Sequence, residues 1–310
     1  MLRLLILLVG SLLIACSNND GGETTDELDG TNSLAAEIEY GLTSQTLVHD
    51  GVIREFLLYV PASYDGSVDV PLVMNFHGNG LTAELHMGSA DMRPIAEEEN
   101  FIAIYPQGVP LDGSAHWNSL MNAEGNKSET DDIGFVTSLL NLMNTNYAID
   151  DSRVYASGYS NGGDFSFMLA CSLSDSIAAI APVSSLMADS TLLPCTPSHP
   201  TTVMIFNGTA DYVRPYEGID GYLQAVDDAA SYWVDFNNIE AAPQVTSISS
   251  GGMTIEYSLY SGGDTGASVS VFKVLDGGHI WFDFDIDGVN STRHIWDTLS
   301  QYDLNGIRQE

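Results

Sequence analysis

Apolar runs of strand length alternate with segments of helical periodicity along most of the chain. The apolar or alternating runs predict strands at residues 52–60, 71–76, 101–105, 153–157, 177–183, 201–206, 253–260 and 269–275. Helical spacing predicts helices at residues 90–100, 132–147, 161–171, 221–237 and 291–301. Because strands and helices alternate, and several strands are apolar throughout, the sequence predicts an α/β fold with a mostly parallel sheet and helices on both faces.

The first fifteen residues carry one cation, Arg3, ahead of an apolar stretch that ends in small residues before Cys16. This stretch is too short to stay in a bilayer as a spanning helix, and its pattern predicts an export signal. Its end, L-I-A-C, resembles the lipobox of bacterial lipoproteins, in which the cysteine is lipidated. We therefore expect an exported protein anchored to the bacterial cell envelope through Cys16, with a non-lipidated secretory signal as the alternative.

The segment that follows Cys16 is polar and acidic, with no hydrophobic periodicity, and cannot bury enough apolar surface to fold. We predict a signal peptide over residues 1–15, an acidic disordered tether over residues 16–44 and one large catalytic domain over residues 45–310. The chain has 9 Lys and Arg against 42 Asp and Glu, a net charge of −33. This charge repels nucleic acid and anionic lipid, so we expect no nucleic-acid partner and contact with the membrane only through the lipid. We also expect a monomer.

Once Cys16 is assigned to the lipid, Cys171 and Cys195 are left as an even pair in an exported protein. A disulfide is the simplest interpretation, and two buried thiols are the alternative. Closing a loop of about 24 residues would stabilise the fold by about 3 kcal/mol in the chain-entropy model.

The clearest chemical signal is G-Y-S-N-G at residues 158–162, which follows a predicted strand and leads into a predicted helix. A serine hydroxyl becomes a useful nucleophile when it projects from a sharp strand-to-helix turn beside a base. The flanking glycines permit that turn, so Ser160 is the candidate nucleophile. An ordinary glycine-rich turn is the alternative.

Two later predicted strands end in turns that carry an acid and a base. Asp211 follows the strand at 201–206, and His279 follows the strand at 269–275. Because the carboxyl ends of parallel strands share one edge of a sheet, these side chains can meet Ser160 there, in the chain order of α/β-hydrolases. An Asx turn closed by Asp211 and a loop role for His279 are the alternatives, and His294 is the second candidate base.

The backbone amides of Asn161 and Asn79 are the predicted oxyanion donors, with Gly78 as the alternative to Asn79. Three side chains are grouped as candidate substrate contacts: His77, Trp117 and Trp281. We expect His77 to support its loop rather than to react. Trp117 lies in a long polar insertion, residues 107–131, and either stacks on substrate or packs against the protein.

Taken together, these segments resemble the polyhydroxybutyrate depolymerase and feruloyl esterase-like family of α/β-hydrolases over about residues 45–305. The matching segments are N-F-H-G (75–78), D-D-I-G-F (131–135), G-Y-S-N-G-G (158–163), A-I-A-P-V (179–183), N-G-T-A-D (207–211) and G-G-H-I-W (277–281). The resemblance implies a serine esterase that uses Ser160, Asp211 and His279, and a bond between Cys171 and Cys195. It also implies extracellular hydrolysis of esters of short hydroxy acids, or of acetyl or hydroxycinnamoyl esters on plant polysaccharide.

The chain departs from this family in two places. Asn207 stands where the pattern usually has histidine, and Phe282 with Asp283 stands where Pro-Gly commonly follows the tryptophan. Neither departure removes a catalytic group, but both change residues close to the predicted pocket.

Asp283, Asp285 and Asp287 match the first half of an EF-hand loop, which supplies oxygen ligands at alternate residues. The twelfth position of that loop is His294 instead of a bidentate glutamate, so an acidic surface loop is the alternative. We assign no metal and expect no cofactor.

We expect a feruloyl or acetyl-xylan type esterase acting through an acyl-enzyme, with hydrolysis of short-chain polyester or its oligomers as the second substrate class. Two rivals come from other classes of protein. One is a surface glycan-binding lipoprotein that keeps the fold without turnover, and the other is a calcium-dependent adhesion or structural protein built around Asp283, Asp285 and Asp287.

Overall fold

The protein is represented by a computed structural model, and the structure describes residues 38–120, 126 and 128–309. The predicted export signal, Cys16 and residues 17–37 of the predicted tether lie outside the described residues. Within the described part of the chain, no helix combines the length and the apolar character needed to cross a bilayer.

The described chain forms strands of two kinds, long strands of one sheet and two-residue strands in small hairpins. In chain order they are β1 Gly41–His49, β2 Val52–Val60, β3 Val70–Phe76, β4 Ile102–Pro106, β5 Pro110–Leu111, β6 Ser114–Ala115, β7 Ile149–Tyr159, β8 Ala179–Val183, β9 Thr202–Gly208, β10 Gln244–Ser250, β11 Met253–Tyr260, β12 Val269–Leu275, β13 Asp285–Ile286, β14 Val289–Asn290, β15 Tyr302–Asp303 and β16 Gly306–Ile307. The α-helices are α1 Ala83–Ser89, α2 Arg93–Glu99, α3 Asp132–Asn146, α4 Asn161–Ser172, α5 Val226–Phe236 and α6 Ser291–Leu299.

Ten strands form one sheet in the order β1-β2-β4-β3-β7-β8-β9-β12-β11-β10. The central strands β4, β3, β7, β8, β9 and β12 run parallel, and two antiparallel strands extend the sheet at each end. Strands β3 and β4 are buried at every position, as expected for parallel strands covered on both faces. The sheet confirms the predicted mostly parallel arrangement.

Helices cover both faces of this sheet. On one face, buried side chains of α3, α4 and α5, such as Phe135, Phe165 and Trp233, pack in a single cluster with the strands. On the other face, Met87 of α1, Ile95 of α2 and residues of α6 pack in a second cluster. Each apolar face of the sheet is thereby removed from water, which is the main favourable term in folding.

The two outermost strands are missing from the sequence predictions. Strand β1 alternates between half-buried and exposed positions, and β10 is mostly exposed, so neither has the apolar run of a central strand. Residues 41–44 pair with residues 57–60 of β2. The predicted tether boundary at residue 44 therefore needs correction, because the sheet already includes Gly41.

Two predicted helix boundaries also shift. The helix predicted at residues 90–100 is α2, which starts at Arg93 with a proline in its first turn and is preceded by the separate helix α1. The helix predicted from residue 221 begins only at Val226.

Cys171 and Cys195 form a disulfide. It joins the end of α4 to the segment that leads into β9. Because α4 follows Ser160 and β9 precedes Asp211, the bond ties together the two stretches that carry the predicted nucleophile and acid.

Candidate active site

Ser160 occupies a sharp turn between the end of β7 and the start of α4. Its backbone has φ 53° and ψ −122°, a conformation that L-residues adopt only when the surrounding structure imposes it. A Cβ atom on Gly158 would lie 2.4 Å from the backbone of Gly162, and one on Gly162 would lie 2.2 Å from the carbonyl oxygen of Phe76. The two glycines are therefore required by the close approach of strand, turn and helix.

The structure brings Ser160, His279 and Asp211 into one hydrogen-bonded line. The His279 Nε2 to Ser160 Oγ distance is 2.8 Å, and the His279 Nδ1 to Asp211 Oδ2 distance is 2.7 Å. An ionised Asp211 accepts from Nδ1–H, which leaves Nε2 free to accept the proton of the serine hydroxyl. The Asp211 side chain is fully buried, and that of His279 is 15% exposed.

Asp211 is itself fixed by its own turn. Its Oδ1 accepts hydrogen bonds from the backbone N–H groups of Val213 and Arg214, both at 2.8 Å. The carboxylate thus closes an Asx-type turn with one oxygen and holds His279 with the other. Both contacts considered for Asp211 from the sequence, the closed turn and the hydrogen bond to His279, are present in the structure.

Two hydroxyl groups hold the backbone of the turn that carries His279. Tyr159 donates to the carbonyl oxygen of His279 at 2.8 Å, and Ser184 donates to that of Ile280 at 2.6 Å. Burial raises the pKa of Tyr159 to about 12, so its hydroxyl keeps the proton it donates. The alternative base, His294, lies on α6 with its ring edge-on to Phe272 at 5.6 Å, whereas His279 is already bonded to the serine.

The predicted oxyanion donors flank Ser160 on two different segments. Asn161 is the first residue of α4, where backbone N–H groups have no partner within the helix. The turn after β3 carries the two candidates for the second donor, Gly78 and Asn79. Asn79 lines the cavity beside Ser160, which favours it.

His77 supports this turn and is fully buried. Its Nδ1–H donates to the carbonyl oxygen of Gly78 at 2.8 Å, and its Nε2 accepts the N–H of Gly108 at 2.9 Å. Burial lowers the pKa of His77 to about 4, so the imidazole is neutral at pH 7. These contacts favour the loop-supporting role over direct contact with substrate.

Trp117 joins the two segments that carry the predicted oxyanion donors. Its backbone N–H donates to the Asn161 side chain at 2.7 Å, and its backbone oxygen accepts from the same amide group at 3.0 Å. Its indole N–H donates to the carbonyl oxygen of His77 at 3.0 Å. The ring stacks on Phe165 and is only 2% exposed. The structure therefore favours the packing alternative for Trp117 over substrate stacking.

A buried ion pair supports the Trp117 segment from behind. Arg54 Nη2 lies 2.7 Å from Asp132 Oδ1, and both side chains are 1% exposed. The other carboxylate oxygen accepts the backbone N–H of Asn118 at 2.8 Å. Burial lowers the pKa of Arg54 and raises that of Asp132, so each charge depends on its partner. The guanidinium also lies 3.8 Å above the ring of Phe135, a favourable cation–π contact.

A cavity of about 410 Å³ opens beside the serine and the histidine. Most of its walls are polar, and it is lined by Asn79, Trp117, Ser119, Asn126, Ser160, Asn161, Asp164, Val213, Arg214, Tyr222, Leu223 and His279. Trp281, a predicted substrate contact, is absent from this lining and packs edge-on against His86 with ring centroids 5.4 Å apart. The predicted site residues in the lining are thus Asn79, Trp117, Ser160, Asn161 and His279.

The EF-hand-like aspartates do not gather into a ligand cluster. Asp285 pairs with Asn290 in the β13–β14 hairpin, and Asp287 lies in the turn between these strands. Among the described residues, the one group of three or more His, Cys, Asp or Glu side chains close enough to share an ion is His49, Asp50 and Asp131, at a different place in the chain. The acidic surface loop is the interpretation that the structure favours for Asp283, Asp285 and Asp287.

Asp164 and Arg214 also line the cavity, although neither is among the site residues predicted from the sequence. A signal for them exists, because Asp164 is the one charged residue of a predicted helix with a long apolar run, and a charge buried there needs a partner. Arg214 is one of only nine basic residues and lies three positions after Asp211. Their side chains form an ion pair, with Arg214 Nη2 2.5 Å from Asp164 Oδ2.

Comparison with known proteins identifies esterases among the relatives of this chain. No protein-family model matches it. It is 26% identical over 264 residues to a bifunctional acetylxylan esterase/xylanase of Neocallimastix patriciarum, a match that covers 83% of this chain and 34% of the relative. It is 27% identical over 168 residues to feruloyl esterase B of Piromyces equi, covering 53% of this chain and 30% of the relative. The chain thus spans about a third of the length of each of these relatives.

Solved structures show the same architecture. An acetyl xylan esterase from Aspergillus awamori aligns with a TM-score of 0.56 at 15% identity, covering 83% of this chain and 98% of that one. The serine, aspartate and histidine also follow one another in the order of this fold. The chain has the α/β-hydrolase fold.

Burial of His77 makes stability depend on pH in a defined direction. The pKa of His77 is about 4 in the folded protein against 6.5 for the free side chain. Between pH 4 and pH 6.5 the imidazole is therefore protonated in the unfolded chain but neutral in the folded protein. The free energy of unfolding should therefore fall as the pH drops from 6.5 to 4. His77→Gln removes this titrating group, so it should reduce the slope of the unfolding free energy against pH by up to about 1.4 kcal/mol per pH unit, the value for one proton. Urea unfolding at pH 7, 6 and 5 measures both slopes, and equal slopes would contradict the assignment.

Proposed function

We propose that the chain is a serine hydrolase of carboxylic esters that acts through an acyl-enzyme. The observation that carries this proposal is the continuous hydrogen-bonded line from Ser160 through His279 to the buried Asp211, at the wall of an open cavity. A protein that only binds glycans has no need of a strained serine turn aligned with a histidine and a buried carboxylate. The named esterase relatives support the same conclusion.

The geometry suits a two-step reaction. Ser160 Oγ attacks the ester carbonyl carbon while His279 Nε2 takes its proton, and Asp211 stabilises the imidazolium that forms. We assign the backbone amides of Asn161 and Asn79 to the oxyanion of the tetrahedral intermediate. His279 then gives the proton to the leaving alcohol, which departs and leaves the acyl group on Ser160. Water attacks this acyl-enzyme with His279 as base, releasing the carboxylic acid and restoring the serine.

The substrates that we propose are acetyl or feruloyl esters of plant polysaccharide. Two observations support this class. The relatives are named acetylxylan and feruloyl esterases, and the cavity wall is rich in amide, hydroxyl and charged side chains that can bind oxygen-rich groups. A polar wall suits sugar and phenolic esters better than the plain aliphatic chain of a polyester, which offers few hydrogen-bonding groups.

Replacement of Ser160 tests the proposed nucleophile. Ser160→Ala should lower kcat/KM for p-nitrophenyl acetate by about 10⁴-fold or more and should abolish labelling by a fluorophosphonate probe. Ser157→Ala is the matched control, because Ser157 is a buried serine of β7, the strand that ends just before Ser160, and its hydroxyl donates to the carbonyl oxygen of Ala181. Labelling that survives in Ser160→Ala, or a wild-type protein that takes no label, would contradict the proposal.

Trp117 provides a test of the oxyanion arrangement. Trp117→Phe keeps an aromatic ring but removes the indole N–H that holds His77, so kcat should fall about tenfold with little change in KM. Trp233→Phe is the control, since Trp233 is fully buried and its indole nitrogen has no hydrogen-bond partner among the described residues. An equal loss of kcat in the two variants would show that the effect reflects packing alone.

We also propose that the protein is exported and held at the membrane through lipid on Cys16, as the signal pattern suggests. In a bacterial host, esterase activity should fractionate with membranes, and Cys16→Ser should shift it to the soluble fraction. Wild-type activity that is soluble from the start would refute the anchor without affecting the catalytic proposal.

A further inference from the structure

The ion pair between Asp164 and Arg214 joins the two segments that carry the proposed nucleophile and acid. Asp164 lies in the first turn of α4, four residues after Ser160, and Arg214 lies three residues after Asp211. Arg214 Nε donates to Asp164 Oδ2 at 3.0 Å, and Nη2 donates to the same oxygen at 2.5 Å. The other carboxylate oxygen accepts the backbone N–H of Leu186 at 2.9 Å. Both side chains are therefore fixed in place.

Both members of this pair face the cavity that contains Ser160 and His279. Among the residues that line the cavity, Arg214 is the one arginine or lysine and Asp164 the one carboxylate. The Asp164 side chain is 4% exposed and that of Arg214 is 18% exposed. Burial alone would lower the pKa of Arg214, but the nearby carboxylate of Asp164 has the larger combined effect and raises it. Arg214 therefore stays protonated. Arg214 is thus the more exposed member of the pair and brings a charged guanidinium to the cavity wall.

The guanidinium has more donors than the protein uses. Of its five N–H groups, one on Nε and one on Nη2 serve Asp164, and one on Nη1 donates to the carbonyl oxygen of Val213 at 3.2 Å. No acceptor within the described chain takes the other two, one on each terminal nitrogen. A planar pair of N–H groups at a cavity wall matches oxygen atoms of a ligand.

The charge of the pair decides which oxygens it favours. An arginine without a partner would favour a carboxylate as its ligand. Asp164, however, lies against Arg214 and offsets the charge of its guanidinium. The pair is neutral overall and still presents two strong donors, which suits hydroxyl oxygens of an uncharged molecule. Such hydroxyls occur in two parts of the proposed substrates, on the sugar and on the phenolic ring.

We propose that Arg214, held by Asp164, is a specificity-determining residue that donates hydrogen bonds to hydroxyl oxygens of the ester substrate. This inference rests on the proposed esterase function. The competing interpretation is that the pair only positions the Asp211 turn against the nucleophile helix. A recognition role acts on hydroxylated substrates selectively, whereas a positioning role lowers turnover of every ester alike.

Matched ester pairs separate these interpretations. Methyl p-coumarate differs from methyl cinnamate by the phenolic hydroxyl, and acetylated xylo-oligosaccharide offers sugar hydroxyls that p-nitrophenyl acetate lacks. The test variant is the double substitution Asp164→Asn with Arg214→Gln, which removes both charges together and shortens the cavity side chain. Arg214→Lys is a second variant that keeps the charge but loses the planar pair of donors.

The double substitution Asp150→Asn with Arg153→Gln is the control. Arg153 Nε lies 2.6 Å from Asp150 Oδ2 with side chains 18% and 28% exposed, and neither residue lines the cavity. This control substitution removes a partly buried ion pair of similar geometry that lies outside the cavity.

The expected result is a fall of about tenfold in the ratio of kcat/KM between the hydroxylated and plain ester of at least one pair, chiefly through KM. The pair that responds identifies the phenolic or the sugar hydroxyl as the ligand. The control should leave both ratios unchanged. Ratios that stay constant in both Arg214 variants, with or without a common loss of kcat, would overturn the proposal. A wild type that hydrolyses none of the four esters and takes no fluorophosphonate label would instead refute the esterase function itself.

Discussion

The hydrogen bond between His279 Nε2 and Ser160 Oγ is the contact on which the proposed chemistry of this protein depends. The two residues are far apart in the chain and meet because β7 and β12 run parallel in one sheet, so that their carboxyl ends share an edge. The meeting also needs the strained turn at Ser160, which only glycines at positions 158 and 162 allow. Fold and chemistry are therefore linked through backbone geometry before any substrate is considered.

Two networks of buried polar groups hold the surroundings of this contact. On one side, Trp117 binds both Asn161 and His77 and rests on the ion pair of Arg54 with Asp132. On the other side, Arg214 and Asp164 join the acid turn to the nucleophile helix. Buried charges of this kind are costly unless they are paired, so they add rigidity and orientation more than stability. The two networks therefore suit a site whose hydrogen-bond donors must already be in position before a substrate binds.

The central sheet and the three aligned residues were predictable because their signals are local and strong. Strands β2, β11 and β12 match the predicted bounds, and the turns that carry Ser160, Asp211 and His279 follow apolar runs directly. Strands β1 and β10 escaped prediction because edge strands are half exposed and rich in Thr, Ser and Gln. The role of Trp117 depends on hydrogen bonds to residues about forty positions away in the sequence. Arg214 and Asp164, which form an ion pair, are 50 positions apart. Such long-range contacts leave no periodicity in a single sequence.

The central claim is that Ser160 and His279 act as one unit, and a double-mutant cycle on kcat/KM tests it most directly. Residues that share one proton transfer are strongly non-additive, so Ser160→Ala, His279→Ala and the double variant should reach about the same residual rate with p-nitrophenyl acetate. If the losses of the two single variants instead multiply in the double variant, the two side chains act independently, and the claim that they form one catalytic unit is contradicted.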